Sequence, residues 1–550
     1  LAAHGLDHAF EEVRRFQPGK TIRDDRLGWW QFLTLRHCMR QTSALISILA
    51  TTWLVNAPAA PAAAQTSKPA PIPVASEGPL PAATTMHSLV LPGCTIEYRA
   101  TWSEHVLRDA SGQGEATISA TSYVRANGTG GAEPRPVMFL FNGGPGASSS
   151  PLHMNALGPK RLGERDARGQ RPMIDNPETV LDVADLVFID PVGTGFSRPL
   201  REGGGKAYWS ADGDAAATLA LVRAWLAREG RARAPLYLVG ESYGGYRLGL
   251  MARAMTDLDV AGMVLVSPAL EFATSQDQAA INALPSMAVA AWYHRRRPGD
   301  IRTAGLVWED TRRFAQGDYA SLLQQGAALP EAELTRASRQ IADLIQLPEA
   351  MIRESRLRVD TQVFLENLLP GQLLSRLDTR VTAAPAAPKN PDRPAAANDP
   401  ALGLGQTNVI ISEPLGRYLR EDLRVAGNRD YYSLTLDVNF SWDFRPASLR
   451  PPFAGNVAKH IGTLMVQQPA TRLLVYGGHH DLATPVLGTH HAITHGGIPL
   501  DRVRFAFLDT GHSAFDGEGR APSAMILREF MARAGKNDCA RNDGIANKTS

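Results

Sequence analysis

The sequence predicts an α/β fold: a mostly parallel central sheet with helices on both faces, antiparallel strands at its N-terminal side and an inserted helical segment. Two observations predict it. Continuous apolar runs, such as Val137-Met138-Phe139-Leu140-Phe141, Leu186-Val187-Phe188-Ile189 and Leu236-Tyr237-Leu238-Val239, are what strands buried on both faces look like. Met263-Val264-Leu265-Val266 and Leu473-Leu474-Val475-Tyr476 continue the series, and helical patterns (Asp214 to Arg228, Tyr246 to Met255) lie between the runs. Strands alternating with helices build parallel sheets. At 550 residues, 44% hydrophobic and 20% charged, the chain can bury a large core.

In chain order, residues 1–38 are expected to be an upstream extension and 39–64 a secretory signal. From Met39 a short basic region leads into the apolar run Ser43 to Val55, about 13 residues and too short to span a bilayer. An Ala-rich exit follows, placing cleavage near Ala64 and the mature protein in the periplasm or outside the cell. Residues 65–82 read as a Pro/Ala linker. The core is expected over 83–270 and 431–536, the helical lid insertion over 271–430 and a C-terminal tail over 537–550. Between about 90 and 125, alternating runs such as Thr95 to Arg99 and Ala116 to Thr121 predict antiparallel strands. The insertion is marked by helix-forming stretches (Glu331 to Leu347, Asp360 to Leu369) and the low-complexity loop Ala383 to Ala401.

A net charge of +2 gives no reason to expect a nucleic-acid partner, and no stable membrane association is expected once the signal is removed. Arg outnumbers Lys and Ala is abundant, which reads as a GC-rich, bacterial coding bias. Three cysteines exclude a disulfide scaffold and match no zinc module. Cys94 and Cys539 would remain after export and could pair, clipping the C-terminal tail to the first strands; the sequence leaves that bond open. Nothing in the sequence sets an oligomeric state.

Chemistry concentrates in Gly240-Glu241-Ser242-Tyr243-Gly244, a G-x-S-x-G run between a predicted strand and a predicted helix. In that context the turn projects the serine from the sheet end as a nucleophile, the elbow of an α/β-hydrolase. A nucleophilic serine needs a base, and the base an orienting carboxylate, in the order Ser, acid, His. The run after 472–476 supplies Asp481, and the run after 503–508 supplies His512. Asp509 is the rival acid, but three residues before the histidine it suits the turn better. Asn142-Gly143-Gly144-Pro145-Gly146 follows the strand at 137–141, and its glycines let backbone N–H groups approach a ligand. Gly144 and Tyr243 are therefore the expected oxyanion-hole donors.

Together, Asn142 to Ser149, Asp190 to Ser197, Gly240 to Gly245, Gly477 to Pro485 and Gly511-His512 resemble the serine carboxypeptidase family over roughly residues 136–515. The resemblance implies an α/β-hydrolase fold with a lid, peptide substrates that lose C-terminal residues, and no metal or organic cofactor. It also implies that Asn142, Gly143 and Glu241 hold the substrate's terminal carboxylate. A carboxylate at Glu241 would repel that group when ionised and donate to it when protonated. Two positions depart from the family pattern. Ala156 stands where a second glutamate is expected, and Ala147 replaces a cysteine. An esterase or acyltransferase using the same triad is the alternative reading.

His479, His480, His490, His491 and His495 cluster in sequence, but no metalloprotease spacing joins them and packing or substrate contact is expected instead. The run His294 to Arg297 reads as a solvated helix end. Asn127-Gly128-Thr129 is a glycosylation sequon.

Overall fold

The computed structural model describes residues 72–532, apart from 92, 127–133, 168, 170, 273, 296–299, 386–394, 406 and 445–454. All of these belong to the compact unit Thr66–Ser550. The expected signal segment 39–64, the sequon at Asn127 and the tail 537–550 lie outside the described residues. Cys94 is disulfide-bonded; Cys38 and Cys539 are also outside them.

Among the described residues a nine-stranded sheet forms the centre. We number its strands β1 (Ala83–Leu91), β2 (Cys94–Arg108), β3 (Gly114–Arg125), β4 (Val137–Phe141), β5 (Asp185–Asp190), β6 (Leu236–Glu241), β7 (Val260–Val266), β8 (Arg472–Gly478) and β9 (Val503–Leu508). They lie in the order β1-β2-β3-β5-β4-β6-β7-β8-β9. β1 to β3 and the β3–β5 pair are antiparallel; every pair from β5 through β9 is parallel. From β4 the chain passes to β5 on one side and then to β6 on the other. That reversal opens a crevice at the carboxyl ends of the strands, where open α/β sheets bind ligands.

The continuous apolar runs are explained by the two-residue period of a strand. Val137, Phe139 and Phe141 of β4 point into one core with Leu236 and Leu238 of β6. Met138, Leu140, Tyr237 and Val239 point into the other. Helices α1 (Ala211–Arg228) and α2 (Tyr243–Met251) cover the first face together with a later helix, and the second face is covered by segments that include 415–431 and 527–531. Each fully buried Leu, Val or Phe contributes about 1.5–3 kcal/mol, so a polar residue at Leu238 or Val239 would break the sandwich.

α1 begins three residues before the expected Asp214, because Ser210 caps it. The serine side chain accepts the Gly213 N–H at 3.2 Å, and Asp212 and Asp214 complement the positive helix end. Within the inserted region, α3 (Gln276–Arg295), α4 (Ala304–Phe314) and α5 (Glu331–Ile345) share a separate apolar cluster. That cluster also takes in Leu482, Val486 and Leu487, just after β8. The first strand of the segment 431–536 lies outside the central sheet. Tyr432–Thr435 pairs with Val409–Ile411 and bridges to Ala147 and Gly195, in the loops after β4 and β5.

Candidate active site

The crevice brings the loops after β4 and β6 together. Phe141 pairs with Gly240 in register, so both strands end at the same level. A Cβ on Gly143 would lie 2.4 Å from the Tyr243 nitrogen, so only glycine lets the first loop approach the second this closely. Ser242 sits between β6 and α2 with φ 59° and ψ −125°, a left-handed conformation for a residue with a side chain. Such a backbone costs about 1–3 kcal/mol and persists only where its surroundings hold it. Here the Ser242 N–H donates to the Val266 carbonyl at 2.9 Å, and its own carbonyl accepts from Gly245 and Ala269 at 2.9 Å each. Tyr243, the first residue of α2, has no intrahelical acceptor for its N–H.

Arg247, one turn along α2, ties the two loops from below. Its Nη1 donates to the Asn142 carbonyl at 2.6 Å, and its Nε pairs with Asp214 of α1 at 2.5 Å, fully buried. Asn142 is itself buried, and its Oδ1 accepts the Leu152 N–H at 3.2 Å.

The second pair of loops follows β8 and β9. Gly478 pairs with Leu508, and a Cβ on Gly478 would lie 2.0 Å from the Gly511 carbonyl. This close approach puts His512 Nδ1 2.7 Å from Asp481 Oδ2. Asp481 is wholly enclosed. Its Oδ1 accepts the N–H groups of Ala483 at 2.8 Å and Thr484 at 3.0 Å, and its Oδ2 accepts from Thr484 Oγ1 at 2.7 Å. Burial alone would push this carboxyl up; the charge of His512 and the Thr484 bonds outweigh it, and the net shift is downward. His512 loses basicity to burial but gains more from Asp481, with a further contribution from Glu241, and ends above its ordinary value. The rival acid Asp509 does not meet His512. It accepts from His480 Nε2 at 2.8 Å instead.

Glu241 is 5% exposed, and its Oε2 has no hydrogen-bond partner. Burial pushes its pKa up to about 7, against the charge of His512 and a bond from Asn142, with Asp516 and Asp481 adding to the rise. Ser242, Glu241, Asn142, Gly143, Gly144 and His512 all line one cavity of 480 Å³. An imidazole held by a buried carboxylate, in a cavity that a serine at such a turn also lines, is suited to proton transfer in acyl chemistry. The histidine run disperses. His479 packs on Trp308, while the rings of His491 and His495 lie 4.0 Å apart.

Nothing in the sequence assigns a role to Thr484, Arg247 or Arg376, another residue lining the cavity. Thr484 was visible in principle, because an Asp followed three residues later by Thr marks a side-chain-capped turn. The other two act across long sequence separations, with no local signal.

Residues 118–261 match the Peptidase_S10 family, serine carboxypeptidase. The match covers the two Gly-rich loops and ends before Asp481 and His512. Among solved structures, the chain is similar to KEX1(DELTA)P, a prohormone-processing carboxypeptidase from Saccharomyces cerevisiae. The identity is 14%, over 84% of this chain and 97% of that one, with a TM-score of 0.50. It is also similar to a proline iminopeptidase from Mycobacterium smegmatis, at 14% identity over 79% of this chain and 100% of that one with a TM-score of 0.32. The first of these supports the α/β-hydrolase fold. No curated protein matches the chain.

Proposed function

We propose that this α/β-hydrolase, whose residues 118–261 carry the serine carboxypeptidase match, is an exported serine-type carboxypeptidase. Ser242 Oγ attacks the scissile carbonyl while His512 Nε2 takes its proton, and Asp481 holds the imidazole by Nδ1. The N–H groups of Gly144 and Tyr243 stabilise the oxyanion. His512 then returns the proton to the leaving amine, leaving an acyl-enzyme that water hydrolyses by the same route. Asn142, Gly143 and protonated Glu241 receive the terminal carboxylate.

The observation that carries this reading is Glu241: a buried carboxyl with an unpartnered oxygen, in the same cavity as Ser242 and His512. A group that is half neutral near pH 7 can donate to a carboxylate that an ionised one would repel. Export rests on the segment 39–64. Among the described residues no helix is long and apolar enough to cross a membrane.

The test is release of the terminal residue from an N-blocked dipeptide across pH 4 to 8, beside its C-terminal amide and a Ser242→Ala variant. Cleavage of the free acid alone, abolished by Ser242→Ala, is expected. Ala156, buried where the family pattern has its second glutamate, favours a second reading as an esterase or acyltransferase. Equal cleavage of acid and amide, or hydrolysis of simple esters alone, would establish it.

A further inference from the structure

Arg376 lines the cavity that holds Ser242, yet the steps above do not use it. Its backbone is pinned on both sides. The Arg376 N–H donates to Asp399 Oδ2 at 2.8 Å, and its carbonyl accepts the Leu482 N–H at 2.8 Å. The next carbonyl, of Leu377, accepts the His512 N–H at 2.6 Å. Arg376 therefore stands beside the Asp481–His512 pair on a backbone tied to both loops.

Its guanidinium is not spoken for in the same way. Nε is enclosed and has no hydrogen-bond partner. The carboxylate it approaches, Asp399, lies 4.0 Å from Nε and already accepts from Ser375 Oγ at 2.6 Å, the Arg376 N–H and the Ala401 N–H at 2.9 Å. Arg380, by contrast, is engaged by Asp378 at 2.7 Å. The Arg376 side chain is 39% exposed, and its charge is felt at His512, where it opposes protonation.

We propose that Arg376 binds a carboxylate of the substrate in this cavity, from the inserted side and opposite in chemistry to Glu241. This deepens the carboxypeptidase reading and rests on it. Glutamate receives a carboxylate only while protonated, whereas a guanidinium receives one bidentately at any working pH. Recognition of anionic substrates therefore continues above pH 7, where Glu241 ionises. The carboxylate is either the terminal one or that of an acidic side chain beside the scissile bond.

Steady-state kinetics of the wild type, Arg376→Gln and Arg376→Lys at pH 5 and pH 8 test this. The substrates are N-blocked dipeptides with neutral or acidic side chains, as free acids and as amides, beside p-nitrophenyl acetate and p-nitrophenyl hydrogen succinate. Arg376→Gln is expected to raise KM about tenfold for carboxylate-bearing substrates, with kcat changing far less and the loss largest at pH 8. Arg376→Lys should recover part of it. A loss shared by every free-acid dipeptide but not by p-nitrophenyl acetate identifies the terminal carboxylate; one confined to substrates with acidic side chains identifies those. A uniform loss across all substrates, or no change in any, overturns the proposal. Should the wild type cleave only the esters, the carboxypeptidase reading fails by itself, and the succinate-to-acetate ratio still decides the role of Arg376.

Discussion

The loops after β8 and β9 carry two aspartate–histidine pairs that cross between them. Asp481 of the first loop meets His512 of the second at 2.7 Å, and His480 of the first meets Asp509 of the second at 2.8 Å. The chemistry of the pairs is the same; the surroundings are not. The Asp481 side chain is fully enclosed and fixed by Ala483 and Thr484, whereas that of Asp509 is 63% exposed. Enclosure strengthens an ion pair's electrostatics and fixes its geometry, while an exposed pair is screened and worth little. Only His512 shares a cavity with Ser242. A short Asp–His contact is common to both pairs; what separates them is burial and the cavity that His512 shares with Ser242.

Asp481→Asn should lower kcat by about a thousandfold or more, because the imidazole loses its orienting charge. Asp509→Asn should change it by less than about threefold. Comparable losses in the two variants would refute the assignment.

Glu241→Gln sharpens the contrast through pH. Ionised Glu241 is among the charges that hold the His512 pKa up, so the variant's acid limb of kcat/KM should move to lower pH. The carboxyl's raised folded value, about 7, means that folding favours its protonated form. Wild-type stability should therefore decline as pH rises from the unfolded value near 4.5 through 7, and Glu241→Gln should be spared that decline. The difference at pH 8 is about 3 kcal/mol at most, readable by denaturant titration.

The smallest effect concerns Thr484, whose single hydroxyl proton is shared between two acceptors, Asp481 Oδ2 at 2.7 Å and the Ser267 carbonyl at 2.9 Å. Thr484→Val should cost about 1 kcal/mol in kcat/KM, roughly fivefold, with KM little changed. Thermal stability measured alongside separates this from general loosening.

Much of this was legible from local pattern. The buried strands, the helices between them and the serine at its strand-to-helix turn all follow from apolar periodicity and glycine placement, which neighbours in sequence encode. Asp481 and Asp509, however, sit in similar loops. Their pairing was decided by the parallel register of β8 and β9 and the close approach that Gly478 permits. The same holds for Arg247 under the Asn142 loop and for Arg376 beside His512. Each works across a hundred residues or more of chain, as with Arg247 and Asn142 105 apart. A periodicity records which face of an element is buried; it carries no record of which distant side chain will meet it. Local pattern was enough for the strands, the helices and the serine at its strand-to-helix turn. Tertiary packing decided which carboxylate reaches the imidazole and which cation lines the cavity beside it.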